Sequence, residues 1–599
     1  MVRHPIYSTL LSLTSQYASH STPVDDLELD FGSRVSQGNQ SVRSRVEETL
    51  AELDAIKRTW KERYNATSMI SRLPVEVLSI IFQICARSAQ LEQGRLQQIG
   101  WTVVLHVCTH WRRVALACPH VWSYVTFAYS RWTEAMIERS KSVPLTVHVV
   151  LYSWGWYRAM CDSLLSKMSR RIRELSFTLL DSAGYLDSRL ALFMSSLCGG
   201  LDDDAGPFQL EDLTVYSVPH NYQVVNIPTT ILHPGTCHLR NLRLDGVGGP
   251  WESPFLIEGL SLTSLTITRI PINRGRPTVS QVIRVLGRLP NLQFLCLDSI
   301  GSFPGPNLPN RVVYLNHLSH LELDCTPTCW TLLLSHLVYP PLRVMRLVCT
   351  KKSTPKADVL AGLLSIDVLG PNLRTQLPIR CIVVSRFSSG PVILQTWTER
   401  GTRSGPPSLD PALHLEISSQ IWPADQTVDR LLIGICDALA LGPLEALHLE
   451  GLLVEADFLL EIFGKLKSLN TIRFVRPDLR GHGVVEALSA GIVRDMGEKA
   501  TAQVVSDSRL GFAALRNLVC EFWTTTRETD RPWQALANCL KERRRRGAGI
   551  QKLFLRSNWL SAQEIHSLKS KDAARKTCMS EITVISDPEK PQTRSSSGW

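Results

Sequence analysis

Three side chains with metal-ligand chemistry stand close together in the sequence: His106, Cys108 and His110. His106 and His110 are four residues apart and share a face if the segment is helical. A structural zinc site needs four ligands. No second pair stands at a usable spacing, so no metal is expected here. The acidic run DDDAG (202–206) lacks the further ligands of a calcium loop and reads as an acidic turn. GVGG (246–249) lacks the Lys-Ser/Thr that completes a phosphate loop, and it too reads as a turn. KERRRR (541–546) has the charge for nuclear import or a nucleic-acid contact; the competing reading is a solvated helix end. The sequence holds no HExxH, no GxSxG and no GxxxxGK[ST]. Cysteines and histidines are scattered without a nucleophile–base context. The expectation is a chain that binds, with no catalytic residues and no cofactor.

The elements that would present a binding surface follow from the composition. The chain has 599 residues, 44% of them apolar and 20% charged, so several domains or one long array are expected. A net charge of +10 spread over that length does not imply nucleic acid. No apolar run reaches membrane-span length, and the first residues lack a signal-peptide core, so a cytoplasmic or nuclear protein is expected. For that reason the sequons at Asn39 and Asn65 are not expected to carry glycans. Fifteen cysteines with no CxxC pair read as free thiols of a reducing compartment.

Residues 1–44 are polar and aperiodic and read as a disordered arm. Residues 45–68 carry Val46, Leu50, Leu53, Ile56, Trp60 and Tyr64 at spacings of three and four among charged residues. That is an amphipathic, coiled-coil-like helix, either packed on its own domain or bound to a partner. SRLPVEVLSIIFQICA reads as a second helix opened by Pro74. In WTVVLHVCTHWRRVALACPHVW, Val104, Cys108, Trp111, Ala115 and Cys118 form one helical stripe that ends at Pro119.

Beyond Trp122 short segments recur with apolar residues in an LxxLxL spacing. They are IRELSF (172–177), LEDLTV (210–215), LRNLRL (239–244), LTSLTI (262–267), LQFLCL (292–297), LSHLEL (318–323) and LRVMRL (342–347). LEALHL (444–449), LNTIRF (469–474), LRNLVC (515–520) and IQKLFL (550–555) continue the series. The central residues Leu213, Leu242, Leu265, Leu295, Leu321 and Met345 are 23–30 residues apart. That is the period of leucine-rich repeats, each giving one strand to a parallel sheet. Helical candidates fall at 280–290 and 329–340. The array is expected over 140–565, with an irregular insert at 350–410; the period lapses between Leu347 and Leu444, where CIVVSRF (381–387) and LHLEISS (413–419) remain strand-like, and 566–599 reads as a disordered tail.

The segment 70–126 resembles an F-box. LPVEVLSIIF (73–82) matches the Leu-Pro-acidic start and aliphatic helix of that family, and VCTHWRRVALACPHVW (107–122) matches its Cys, Trp-Arg, Pro and Trp. With the preceding helix and the following PLTVHVVL (144–151), the arrangement resembles fungal, basidiomycete-type F-box proteins. The resemblance implies a Skp-type adaptor and, through it, a cullin as partners. The residues it implies at the adaptor are Leu73, Pro74, Val77, Leu78, Ile81, Val107, Trp111 and Trp122; core packing is the alternative role, above all for Cys108 and Trp111.

The expected fold is α/β: an N-terminal helix and a small all-α F-box, followed by an irregular leucine-rich-repeat-like solenoid. The expected function is the substrate-recognition subunit of a Skp–cullin–F-box type ubiquitin ligase; the alternative is a non-degradative scaffold. An unidentified protein target would meet the residues between the leucines: Arg243, Thr266, Cys296, Glu322 and Arg346, continued by His448. An ordinary solvated face is the competing reading of this row. Its mixed chemistry suits a protein better than a nucleic-acid backbone.

Overall fold

The structure is a computed structural model. It describes residues 36–90, 99–127, 129–151, 168–179 and 209–217, then shorter stretches between 225 and 556, and 581–585. Residues 1–35, 350–377, 491–510, 557–580 and 586–599 lie outside the described residues. The chain is mixed α/β, with an N-terminal helical region and one large, mainly parallel sheet. It divides into two compact units, residues 1–81 with 103–117, and 82–102 with 118–599.

Helix α1 spans Ser36–Ala66. It begins inside the stretch expected to be a disordered arm, its first turns running through Gly38 and Asn39 ahead of the Gly- and Pro-free run from Ser41. Helix α2 spans Val75–Gln90, with the Pro74 carbonyl accepting from Leu78 N at 3.1 Å. It runs on through Arg87–Gln90, past the end of the segment read as a helix.

The expected single helix over 104–118 is broken. A turn of 3-10 helix (Gly100–Val103) leads into α3 (Val104–Val107), and α4 (Thr109–Ala117) follows. Between them Cys108 is extended, at φ −159° and ψ 167°. Its thiol accepts from Trp111 N at 3.4 Å, the role an N-cap side chain plays. Regular apolar spacing therefore survives across a break that a cysteine caps.

Among the described residues of the second unit, seventeen strands form one sheet. They are β1 (Tyr124–Thr126), β2 (Leu145–Leu151), β3 (Ile172–Leu179), β4 (Asp212–Ser217), β5 (Asn241–Asp245) and β6 (Ser264–Thr268). Then come β7 (Phe294–Asp298), β8 (His320–Asp324), β9 (Val344–Cys349), β10 (Cys381–Arg386), β11 (Val392–Trp397) and β12 (Leu413–Ile417). The last are β13 (Ala446–Glu450), β14 (Thr471–Val475), β15 (Asn517–Glu521), β16 (Lys552–Arg556) and β17 (Glu581–Ile585). Every LxxLxL segment supplies one strand. Strand β17 falls in the stretch read as a disordered tail.

Neighbours β1 to β9 pair in parallel and in sequence order. The order then changes: β9 pairs with β12, β12 and β10 both pair antiparallel with β11, and β10 pairs in parallel with β13. Strand β11 was not legible as a repeat, since VILQTW lacks the LxxLxL spacing. Two strands within the expected insert, β10 and β11, are thus part of the sheet. Parallel pairing resumes from β13 to β17.

The register aligns the leucines. Leu213, Leu242, Leu265, Leu295, Leu321 and Met345 stand side by side, and all are buried. Burying a leucine contributes ~1.5–3 kcal/mol, so this row is a large part of what holds the sheet. One hydrogen-bond pattern repeats with it. The Arg240 carbonyl accepts from both Thr263 N and Ser264 N, and the Thr263 carbonyl from Gln293 N and Phe294 N. The Glu445 and Asn470 carbonyls do the same for the next strand.

Helix α5 (Ser130–Arg139) follows β1. Helices α6 (Val279–Leu286) and α7 (Pro327–Ser335) lie where sequence periodicity puts them, each with a threonine side chain, Thr278 or Thr326, accepting at its N-terminus. Of GVGG, Gly246 bends the chain at φ +74°, where a Cβ would collide with the Ser217 carbonyl oxygen, but Val247–Gly248 then form a short strand paired in parallel with Val225–Asn226. Helix α8 (Pro532–Arg545) carries KERRRR as far as Arg545, and here the reading of a solvated end fails for one residue. Arg543 is fully buried and donates to the carbonyls of Leu488, Gly511 and Phe512 at 3.1, 2.8 and 2.6 Å. Burial lowers the pKa of its guanidinium.

Candidate interaction surfaces

Helix α2 is apolar on two opposite faces. At 100° per residue Leu78, Phe82, Ala86 and Ala89 share one side, and all four are buried. Val77, Ile80, Ile81 and Ile84 share the other and are 39%, 55%, 36% and 60% exposed. A helix apolar all round belongs inside a core. Here half of it faces solvent, as in a surface kept for a partner. Exposed Val75 sits at the start of the helix, and the 3-10 turn Met69–Arg72 before it exposes Met69 and Ile70. Sequence periodicity picks out Val77 and Ile81 but misses Ile80, because apolar positions on both faces blur a single stripe.

The remaining residues implied at the adaptor divide in the same way. Pro74 is exposed and Leu73 half-buried. Val107, at the end of α3, is exposed, and Trp111 on α4 is half-buried. Leu78 and Trp122 have no exposed surface and are core residues, not docking residues. Trp122 sits edge-on to Trp101 at 5.1 Å and stacks on Trp132 at 6.4 Å, with the Arg139 guanidinium over its ring at 4.5 Å. Such a cluster roots a core by area and ring geometry. His106 and Cys108 are exposed and half-buried, and among the described residues no three His, Cys, Asp or Glu side chains converge on a metal site.

On the sheet, Arg243, Thr266, Cys296, Glu322 and Arg346 stand in one register row, as expected from their place between the leucines. The row continues through His414 and Gln395, which lie on β12 and β11 and carry no repeat signal. Arg243 and Arg346 are exposed, while Thr266, Cys296 and Glu322 are half-buried. The Cys296 thiol donates to Glu322 Oε2 at 3.7 Å. Burial, and then the Glu322 charge, push that thiol up to about 12, so it is not a nucleophile at neutral pH.

Arg346 reaches Glu416 at 3.8 Å, and His414 Nε2 lies 3.4 Å from the same carboxylate. Gln395 Nε2 donates to His414 Nδ1 at 2.9 Å, which leaves the Nε2 hydrogen for Glu416. Burial and the Arg346 charge lower the His414 pKa against the pull of Glu416, so the ring is neutral at pH 7.

His448 departs from the expected open face. It follows Val383 in the row and stands beside Arg473, but it is 0% exposed and neither ring nitrogen has a hydrogen-bond partner. Burial, and then Arg473, bring its pKa down to about 4. Arg473 itself pairs with Glu521 at 3.1 Å. The open part of the row therefore ends near His414.

No protein-family model matches the chain, and no curated protein matches it. Among solved structures, the crystal structure of the Rad7 and Elc1 complex in yeast matches over 74% of this chain and 94% of that one, at 13% identity and a TM-score of 0.30. A superposition that loose carries no inference about fold or function. Among the described residues no helix is long and apolar enough to cross a membrane.

Proposed function

We propose that this chain is the substrate-recognition subunit of a Skp–cullin–F-box type ubiquitin ligase. The observation that carries the reading is the uncovered aliphatic row Val77, Ile80, Ile81 and Ile84, on the helix whose sequence has the Leu-Pro-acidic start of an F-box. Four neighbouring aliphatic side chains on one helix form the kind of apolar anchor that helix-in-groove recognition uses. The open row Arg243 to Arg346 supplies a mixed-charge surface for a protein target. The chain contributes no catalytic group; it raises the local concentration of its target at the ligase.

Purified full-length chain, mixed with a Skp-type adaptor and a cullin, tests the reading in one pull-down. Recovery of both supports it. Recovery of the adaptor without cullin points to a non-degradative complex, and recovery of neither overturns it.

A further inference from the structure

We propose that α1 pairs with α1 of a second copy of this chain, antiparallel, through the stripe Val46, Leu50, Leu53, Ile56, Trp60 and Tyr64. All six lie within about 120° of arc on the helix and extend about 27 Å along it. They are 52–79% exposed. The other faces of the helix are exposed too, from Arg43 to Tyr64; one contact with its own unit is the bond that Thr109 Oγ1 donates to Glu62 Oε1 at 2.8 Å, and Glu62 lies opposite the stripe. An uncovered stripe on a helix of 31 residues is apolar surface left in water.

Charge selects the occupant and its direction. Residues 47–54 carry Glu47, Glu48, Glu52 and Asp54 and no cation. Residues 57–63 carry Lys57, Arg58, Lys61 and Arg63 against Glu62 alone. A second copy laid antiparallel puts each acidic half against a basic half. Packing Val46 against Tyr64 and Leu50 against Trp60 of the second copy closes the seam in a repeating layer pattern. Glu47, Asp54 and Lys61 run along one edge at seven-residue spacing. The antiparallel register then sets Glu47 against Lys61 of the second copy, twice per dimer.

At the centre the two Asp54 carboxylates approach, with a Lys57 from each copy beside them. A parallel pair would set Val42, Thr49 and Ile56 against Glu47, Asp54 and Lys61 and form no ion pair.

Sedimentation equilibrium of the full-length chain over a range of concentrations tests this. A monomer–dimer equilibrium is expected, and L50D/L53D should shift its Kd at least 100-fold while adaptor recovery stays unchanged. E47K or K61E alone should each loosen the dimer on the order of tenfold, and the double variant E47K/K61E should restore it. These are exposed positions, so folding is not at stake. A wild-type chain that stays monomeric, a dimer indifferent to L50D/L53D, or single reversals that the double fails to rescue would each overturn the proposal.

Discussion

Ile80 and Phe82 are two residues apart on α2 and point to opposite sides of it: Phe82 is fully buried and Ile80 is 55% exposed. The pair separates binding from folding. Ile80→Asp should abolish adaptor recovery and leave the unfolding free energy from urea titration within about 0.5 kcal/mol of wild type, as surface changes do. Phe82→Ala should cost ~3–5 kcal/mol of stability. A variant Ile80→Asp that binds adaptor normally would remove the exposed face from the proposed function.

Arg543 offers a second test. It holds three backbone carbonyls from segments far apart in sequence. Arg543→Leu should take this donor from all three, with Phe512 keeping its bond from Leu515 N at 3.1 Å, and cost roughly 3 kcal/mol. Arg543→Lys keeps the charge but loses the planar fork and should recover little of it. Hydrogen exchange over 511–521 should accelerate in both, and protection equal to wild type would show that the contacts hold nothing.

His448 makes stability depend on pH. Its folded pKa is about 4, below the unfolded value near 6.5. As pH falls from about 6.5 towards 4, the unfolded chain takes a proton that the folded chain refuses, and stability drops. The loss should be on the order of a few kcal/mol and level off below pH 4. His448→Leu should reduce the slope of this part of the urea midpoint's pH profile, with buried His148, its pKa also brought down to about 4, keeping the rest. Unchanged pH dependence in the variant would contradict the buried neutral ring.

The open row on the sheet predicts a charge effect on target capture. A triple reversal at Arg243, Glu322 and Arg346 should weaken capture of cellular partners while adaptor recovery stays intact. By contrast, Leu321→Ala acts on the buried row beside it and should cost ~2–5 kcal/mol. An unchanged set of partners with the triple reversal would move the binding surface elsewhere.

The strands were legible because a buried parallel sheet leaves a fixed apolar spacing in each repeat. The eleven LxxLxL segments needed no other information. What stayed hidden has physical reasons. Periodicity marks apolar faces but does not say which of them is covered, so Leu78 and Val77 looked alike. Trp122 looked like an anchor, yet its neighbours Trp101 and Trp132 enclose it. The break at Cys108 keeps the apolar spacing on both sides. Strand β11 runs antiparallel and owes its place to two neighbours distant in sequence. Arg543 belongs to a run of cations whose members differ only in what lies next to each.

The reversed strand order between β9 and β13 bears on how the chain is made. Synthesis runs from the N-terminus, so β1 to β9 can be laid down side by side as each emerges. β10 emerges next, but its places are beside β11 and β13. The open edge of β9 waits for β12, which emerges two strands later. Until then β9 presents unpaired N–H and C=O groups, the condition under which sheets recruit other chains. Residues 381–417 must therefore be completed as a block before growth of the sheet resumes, which sets a checkpoint in an assembly that is otherwise strictly sequential.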